Sequence, residues 1–176
     1  MAPPIVIAIS IMWIPVALFF LGWGEPKGTG FAAGITGLLT VIGAILEAAV
    51  FKGPFLAGLL FVHGLFYLSV CYALMAGLQD LRSVGNVALT TCIVSFIYMV
   101  LFWTGGPVLE AGKRLVAPSS YLTLACAGYG LLTLMVFLNA YGKFSGKVLA
   151  YSLIVWVVVG LWVPGFWLMS AGRLPF

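Results

Sequence analysis

Residues 120–172, SYLTLACAGYGLLTLMVFLNAYGKFSGKVLAYSLIVWVVVGLWVPGFWLMSAG, decide the fold. They hold two apolar runs joined by the short basic turn Tyr141-Gly142-Lys143-Phe144-Ser145-Gly146-Lys147. A helix rises about 1.5 Å per residue, so a run of roughly 20 apolar residues crosses the hydrocarbon of a bilayer. The stretch therefore predicts a transmembrane hairpin. Its interior is rich in aromatic and hydroxyl side chains, with Tyr129 and Thr133 on the first arm and Trp156, Trp162, Phe166 and Trp167 on the second.

The same pattern recurs upstream. Of 176 residues, 64% are hydrophobic and 7% charged, whereas about a quarter of a soluble domain is charged. The chain reads as an all-α integral membrane protein, one domain over 1–176, with six transmembrane helices in one bundle. The spans fall at 4–23, 29–51, 54–77, 83–103, 120–141 and 147–171. The opening Met1-Ala2-Pro3-Pro4 lacks the basic flank of a cleaved signal, so the first span is expected to be retained. In the second span, Gly30 and Gly34 make a G-x-x-x-G pair that predicts close approach by another helix.

The net charge of +4 comes from eight basic residues placed between or after the spans. There they favour lipid headgroups and set topology, with no pattern for nucleic acid. Six spans put both termini on one side, with Lys52, Arg173 and the loop that carries Glu110, Lys113 and Arg114. Lys27, Arg82, Lys143 and Lys147 lie on the other, so the basic count ties. The first helix has no basic residue before it and Lys27 after it, which favours termini outside. Cys71, Cys92 and Cys126 sit inside apolar runs without metal or redox spacing and read as small buried hydrophobes.

Ionisable groups at membrane depth are the first places to look for function. Glu47 is near a span end and is expected to pair with Lys52. His63 shares a face with Tyr67 four residues on, opposite Phe61 and Leu65, and reads either as a structural hydrogen-bonding group or as a pH sensor. An ion-coupled carrier needs charges near the midplane, a di-metal enzyme needs carboxylate and histidine clusters, and a serine triad needs an acid beside its histidine. The sequence offers none of these. An enzyme, a metal site and a cofactor are therefore not expected.

What remains is a set of uncharged interior groups. Thr91, Ser95 and Tyr98 share one face of the fourth span, Cys126, Tyr129 and Thr133 one face of the fifth, and Ser152, Trp156, Val159 and Val163 one face of the sixth. Such stripes either pack helices together or line a narrow pore for a small neutral solute, where aromatic walls exclude ions and a few polar groups replace lost water. The two readings separate a channel from a non-transporting membrane scaffold that anchors a larger complex.

Several ordered segments carry a family resemblance. They are Glu25-Pro26-Lys27 with Gly37-Leu38, Gly58-Leu59-Leu60-Phe61 with Tyr67 and Gly77-Leu78, Tyr129-Gly130-Leu131-Leu132 with Phe137, Ser145-Gly146-Lys147, and Trp162-Val163-Pro164 with Trp167. In order, spacing and six-span frame the chain resembles the bacterial urea and amide channels of the AmiS/UreI type. That resemblance implies a homo-hexameric ring of six-helix protomers in the bacterial inner membrane, with periplasmic termini. Each protomer would pass urea or short-chain amides passively, in functional partnership with a cytoplasmic urease or amidase.

By position, the family's constrictions fall on Phe61 and Leu65 in the third span and on Tyr129, Leu132 and Thr133 in the fifth. Leu65 stands where a urea channel of the family has tyrosine, Tyr129 and Thr133 where it has tryptophans, and Trp156 where it has glutamate. These departures bear on which solute is preferred. The acid-gated members carry a long periplasmic loop rich in histidine and carboxylates. Here the corresponding connection is only Phe51 to Pro54, so a channel without proton gating is expected.

Overall fold

The computed structural model describes residues 3–109 and 112–172; Glu110 and Arg173 lie outside the described residues. The helices are α1 (Pro3–Phe20), α2 (Pro26–Ala49), α3 (Pro54–Met75), α4 (Arg82–Thr104), α5 (Ser120–Ala140) and α6 (Gly146–Trp156). The last continues through a π-helical segment (Val157–Trp162) into α7 (Val163–Ala171). Five of these helical runs, α2 to α5 and Gly146–Ala171, are long and apolar enough to cross a membrane, and the shorter apolar Ile7–Phe20 lies in α1. The all-helical, six-span reading is borne out.

Local chemistry sets the helix ends. The Glu25 carboxylate accepts from the backbone N–H groups of Lys27 and Gly28, capping α2 with Pro26 in its first turn. α2 thus begins three residues before the expected 29. Gly22 at φ 81 stops α1 at Phe20, short of Trp23. Ser119 caps α5 by accepting from Leu122 N–H. Beyond α4, Gly105 takes φ 82, and the Arg114 guanidinium donates to the Thr104 carbonyl at the negative end of the helix. The loop after α4 folds back on itself through an antiparallel bridge between Val108 and Arg114.

Consecutive helices are neighbours, and α1 also meets α6, the π segment and α7, so the circle closes. Two hairpins form its tightest walls, α2 with α3 and α4 with α5. A Cβ on Gly37 would lie 3.0 Å from Leu68 N and 3.1 Å from Gly64 O, and one on Gly34 would lie 2.7 Å from Cys71 Sγ. The glycine stripe of the second span is thus consumed inside the chain, against α3. On α4, Ser95 and Tyr98 turn toward α3, where Tyr98 donates to the Phe55 carbonyl at 2.7 Å. Thr91 spends its hydroxyl on Val87 O of its own helix.

Two sequence expectations are corrected. Glu47 does not pair with Lys52: Lys52, at φ 57, donates its ammonium to Ala49 O at 3.0 Å. Glu47 is buried, with Oε2 unpartnered among the described residues. The left-handed turn is closed by Gly53 N–H on Glu47 O at 2.9 Å, so the lysine caps the helix end instead of reaching back to the carboxylate.

The inner face of the sixth span is not Ser152, Trp156, Val159 and Val163. Leu149, Leu153, Val157 and Leu161 are buried, while Val159 and Val163 are exposed. Pro164 explains the disturbance. It has no N–H to return to Gly160 O, and Tyr121 donates its hydroxyl to that carbonyl at 3.2 Å.

Candidate functional site

Aromatic side chains at the mid-heights of α1, α3 and α5 meet inside the circle. Trp13 and Tyr129 lie edge to face at a centroid distance of 5.2 Å, His63 and Tyr129 at 5.0 Å, and His63 and Tyr67 at 6.3 Å. The four rings form a continuous girdle. From it a cavity of ≈ 80 Å³ extends past Phe66, Leu132, Thr133 and Leu153 to Phe20, Leu81 and Asn139 at the helix ends opposite the termini. A single water needs about 10–15 Å³ by the same measure, so a solute of a few heavy atoms fits.

None of the lining residues is charged, and most are aliphatic or aromatic. Thr133 presents little donor capacity, because its hydroxyl bonds back to Tyr129 O at 2.8 Å and Gly130 O at 3.1 Å. Asn139 donates to Phe144 O at 2.9 Å, bracing the turn beside the cavity's outer end. The His63 ring is held by Leu59 O, 2.9 Å from Nδ1, and its Nε2 lies 3.4 Å from Ser95 Oγ. Tyr67 is buried, its hydroxyl beside the Trp13 indole but outside hydrogen-bond geometry.

Among the proposed wall residues, Tyr129, Leu132 and Thr133 line this cavity. Phe61 and Leu65 do not: they are 42% and 48% exposed, on the outer face of α3. The cavity takes the opposite face of that helix, His63, Phe66, Tyr67 and Val70. The reason is polarity. In a membrane helix the imidazole and phenol go to the bundle interior and leave the aliphatic side for lipid or a neighbouring subunit. Cys126 is buried and Tyr98 bonds across to α3, both toward the half of the bundle that holds the termini.

Trp156 is absent from the cavity wall. Its indole fills a slot between α5 and the π segment, where a Cβ on Gly128 would fall 1.9 Å from the ring and one on Gly160 2.5 Å from Nε1. The buried Nε1 has no hydrogen-bond partner among the described residues. In the same half of the bundle, Phe55 stacks on Tyr98 and Phe102 at 4.6 and 5.6 Å. Below them the cavity is open; at their level the bundle is packed.

Sequence reasoning missed Trp13 and Phe66 altogether. α1 is apolar around its whole circumference, and no polar stripe marks the side that faces inward. On α3 the signal was present, since His63, Gly64 and Tyr67 cluster on one side.

Comparison with solved structures gives two matches covering 99% of this chain and 100% of the other, at a TM-score of 0.80 and 19% identity. One is the crystal structure of the urea channel from the human gastric pathogen Helicobacter pylori, the other the cryoEM structure of the same organism's urea channel in a closed state. The chain has the fold of a urea channel. The resemblance drawn from its ordered segments is thereby borne out at the level of fold. No protein-family model and no curated protein sequence matches it.

Proposed function

We propose that this chain is the subunit of a passive membrane channel for urea or short-chain aliphatic amides. The observation that carries the reading is the uncharged cavity at the centre of a closed circle of helices, ending on the Trp13, His63, Tyr67 and Tyr129 girdle. An apolar wall with a few polar groups admits a flat neutral solute and refuses hydrated ions. The fold shared with a urea channel supports the same conclusion. Nothing in the arrangement asks the protein to do chemistry on the solute, so the role is conduction.

The subunit would sit in a bacterial inner membrane with periplasmic termini, the cavity then facing the cytoplasm and a urease or amidase that consumes the solute. Its outer surface carries long apolar faces, Phe31, Leu38 and Ile45 on α2 among them. These suit lipid and the flanks of neighbouring copies in a homo-hexamer. The scaffold alternative loses its main support, because the glycine face it would use for partners is already occupied by α3.

Conduction is expected to be independent of protons. The connection between α2 and α3 is a turn of a few residues without histidine. Proteoliposomes holding the protein should re-swell faster than empty vesicles in a urea or acetamide gradient, measured by stopped-flow light scattering. Equal rates for every small amide would overturn the reading.

A further inference from the structure

His63 is the single histidine of the chain, and its hydrogen bonds fix more than its position. The Leu59 carbonyl, 2.9 Å from Nδ1, can only accept, so Nδ1 carries the proton and the neutral ring presents a lone pair at Nε2. The one polar atom near that lone pair is Ser95 Oγ at 3.4 Å. Ser95 has one hydroxyl proton and donates it to Thr91 O at 2.8 Å. Nε2 is thus an acceptor without a donor.

One helical turn away, the Tyr67 hydroxyl is 1% exposed and has no hydrogen-bond partner. Burying an unsatisfied polar group costs about 1–3 kcal/mol, so two adjacent ones on one cavity wall call for a ligand. Both residues line the cavity and both belong to its girdle.

We infer that His63 and Tyr67 are the solute-reading pair of the passage: Nε2 accepts an amide N–H and the Tyr67 hydroxyl donates to the carbonyl oxygen of the same solute. A primary amide carries donor and acceptor on one planar group, which matches an acceptor and a donor at i and i+4 on α3. The aromatic partners, Trp13 and Tyr129, supply the flat walls. This inference rests on the amide-channel reading and adds the residues that discriminate.

The single histidine allows a direct test. In proteoliposomes with 15N-histidine-labelled protein, the nitrogen spectrum should show a protonated Nδ1 and an unprotonated Nε2. Urea and acetamide should shift Nε2, while trimethylamine N-oxide, which has no N–H, should leave it unmoved. In flux assays His63→Leu should lose about tenfold or more of urea permeation, and His63→Gln, which restores a side-chain acceptor, should recover most of it. Tyr67→Phe should lose severalfold.

An Nε2 resonance blind to urea and acetamide in vesicles that pass both, or undiminished flux through His63→Leu, overturns the inference and leaves the channel standing. A response to trimethylamine N-oxide equal to that of urea also overturns it, since bulk solvent effects would then explain the shift. Native vesicles that pass no small amide overturn the channel reading, and the inference with it.

Discussion

Trp156 shows how far a single side chain can be displaced from its sequence-based role. Its position suggested a pore-facing ring, yet two glycines on different helices, Gly128 and Gly160, vacate the volume that it fills. Spacing along one helix cannot reveal that slot, because half of it belongs to a residue 28 positions away. The arrangement makes a coupling prediction. Gly128→Ala should destabilise by about 1–3 kcal/mol through overpacking, and in a Trp156→Ala background the same change should cost nothing measurable. Thermal unfolding in detergent of the four proteins of this cycle checks it. Tyr98→Phe tests a simpler bond: losing the hydroxyl on Phe55 O should cost about 0.5–1.5 kcal/mol and leave urea flux intact.

At the scale of the helix, the instructive pair is α2 with α3. The glycines at 30, 34 and 37 were legible as a packing surface, and packing is what they do. Their partner was not legible, since a small-residue stripe says only that something comes close. Backbone atoms of Leu68 and Gly64 stand where a Gly37 side chain would go, so neither side can yield. Gly37→Val is therefore expected to separate the hairpin, with a loss above the ordinary 1–3 kcal/mol of overpacking and a fall in folded yield. Fluorescence-detected size exclusion and thermal melts would register both. Gly77→Ala at φ 65, in the turn after α3 with open space around it, should cost much less, about 1 kcal/mol. The inward faces of α1 and α3 were the least readable part of the site. In lipid both the core side and the outer side of a helix are apolar, so periodicity loses the contrast that it has in water.

For the whole molecule, span number and order followed from hydropathy because backbone satisfaction in lipid leaves helices as the only spanning solution for such a chain. Ring closure did not, since it depends on α1 meeting α6 across the full length of the sequence. The distribution of ionisable groups bears on pH. Among the described residues the one ion pair is Asp80 with Arg82, 2.6 Å apart and exposed in the turn before α4. Hydrogen bonds from Arg82 pull the Asp80 carboxyl down to about 2 from its ordinary 3.8. A depressed carboxylate contributes above its unfolded value and loses that contribution as pH falls through the folded one. It therefore stays charged throughout pH 7 to 5. Urea flux should vary little across that window, and Asp80→Asn should leave the profile unchanged. A steep rise on acidification, read in the same light-scattering assay, would instead draw His63 or Glu47 into gating. The titratable groups in ring contact with His63 are Tyr67 and Tyr129, so no fixed charge stands beside it to be switched.

The π segment at Val157–Trp162 also constrains how the chain can change length. A π turn accommodates one residue more than the α-helix around it would, and each residue advances a helix by about 100°. A one-residue deletion among Val157, Val158 and Val159 would let the sixth span run as a regular helix up to Pro164, but would swing everything beyond by that angle. Phe166 and Trp167, which now face outward, would leave that surface. Insertions and deletions here are therefore changes of facing, and sequences that align without a gap through this segment carry the same outward aromatic surface.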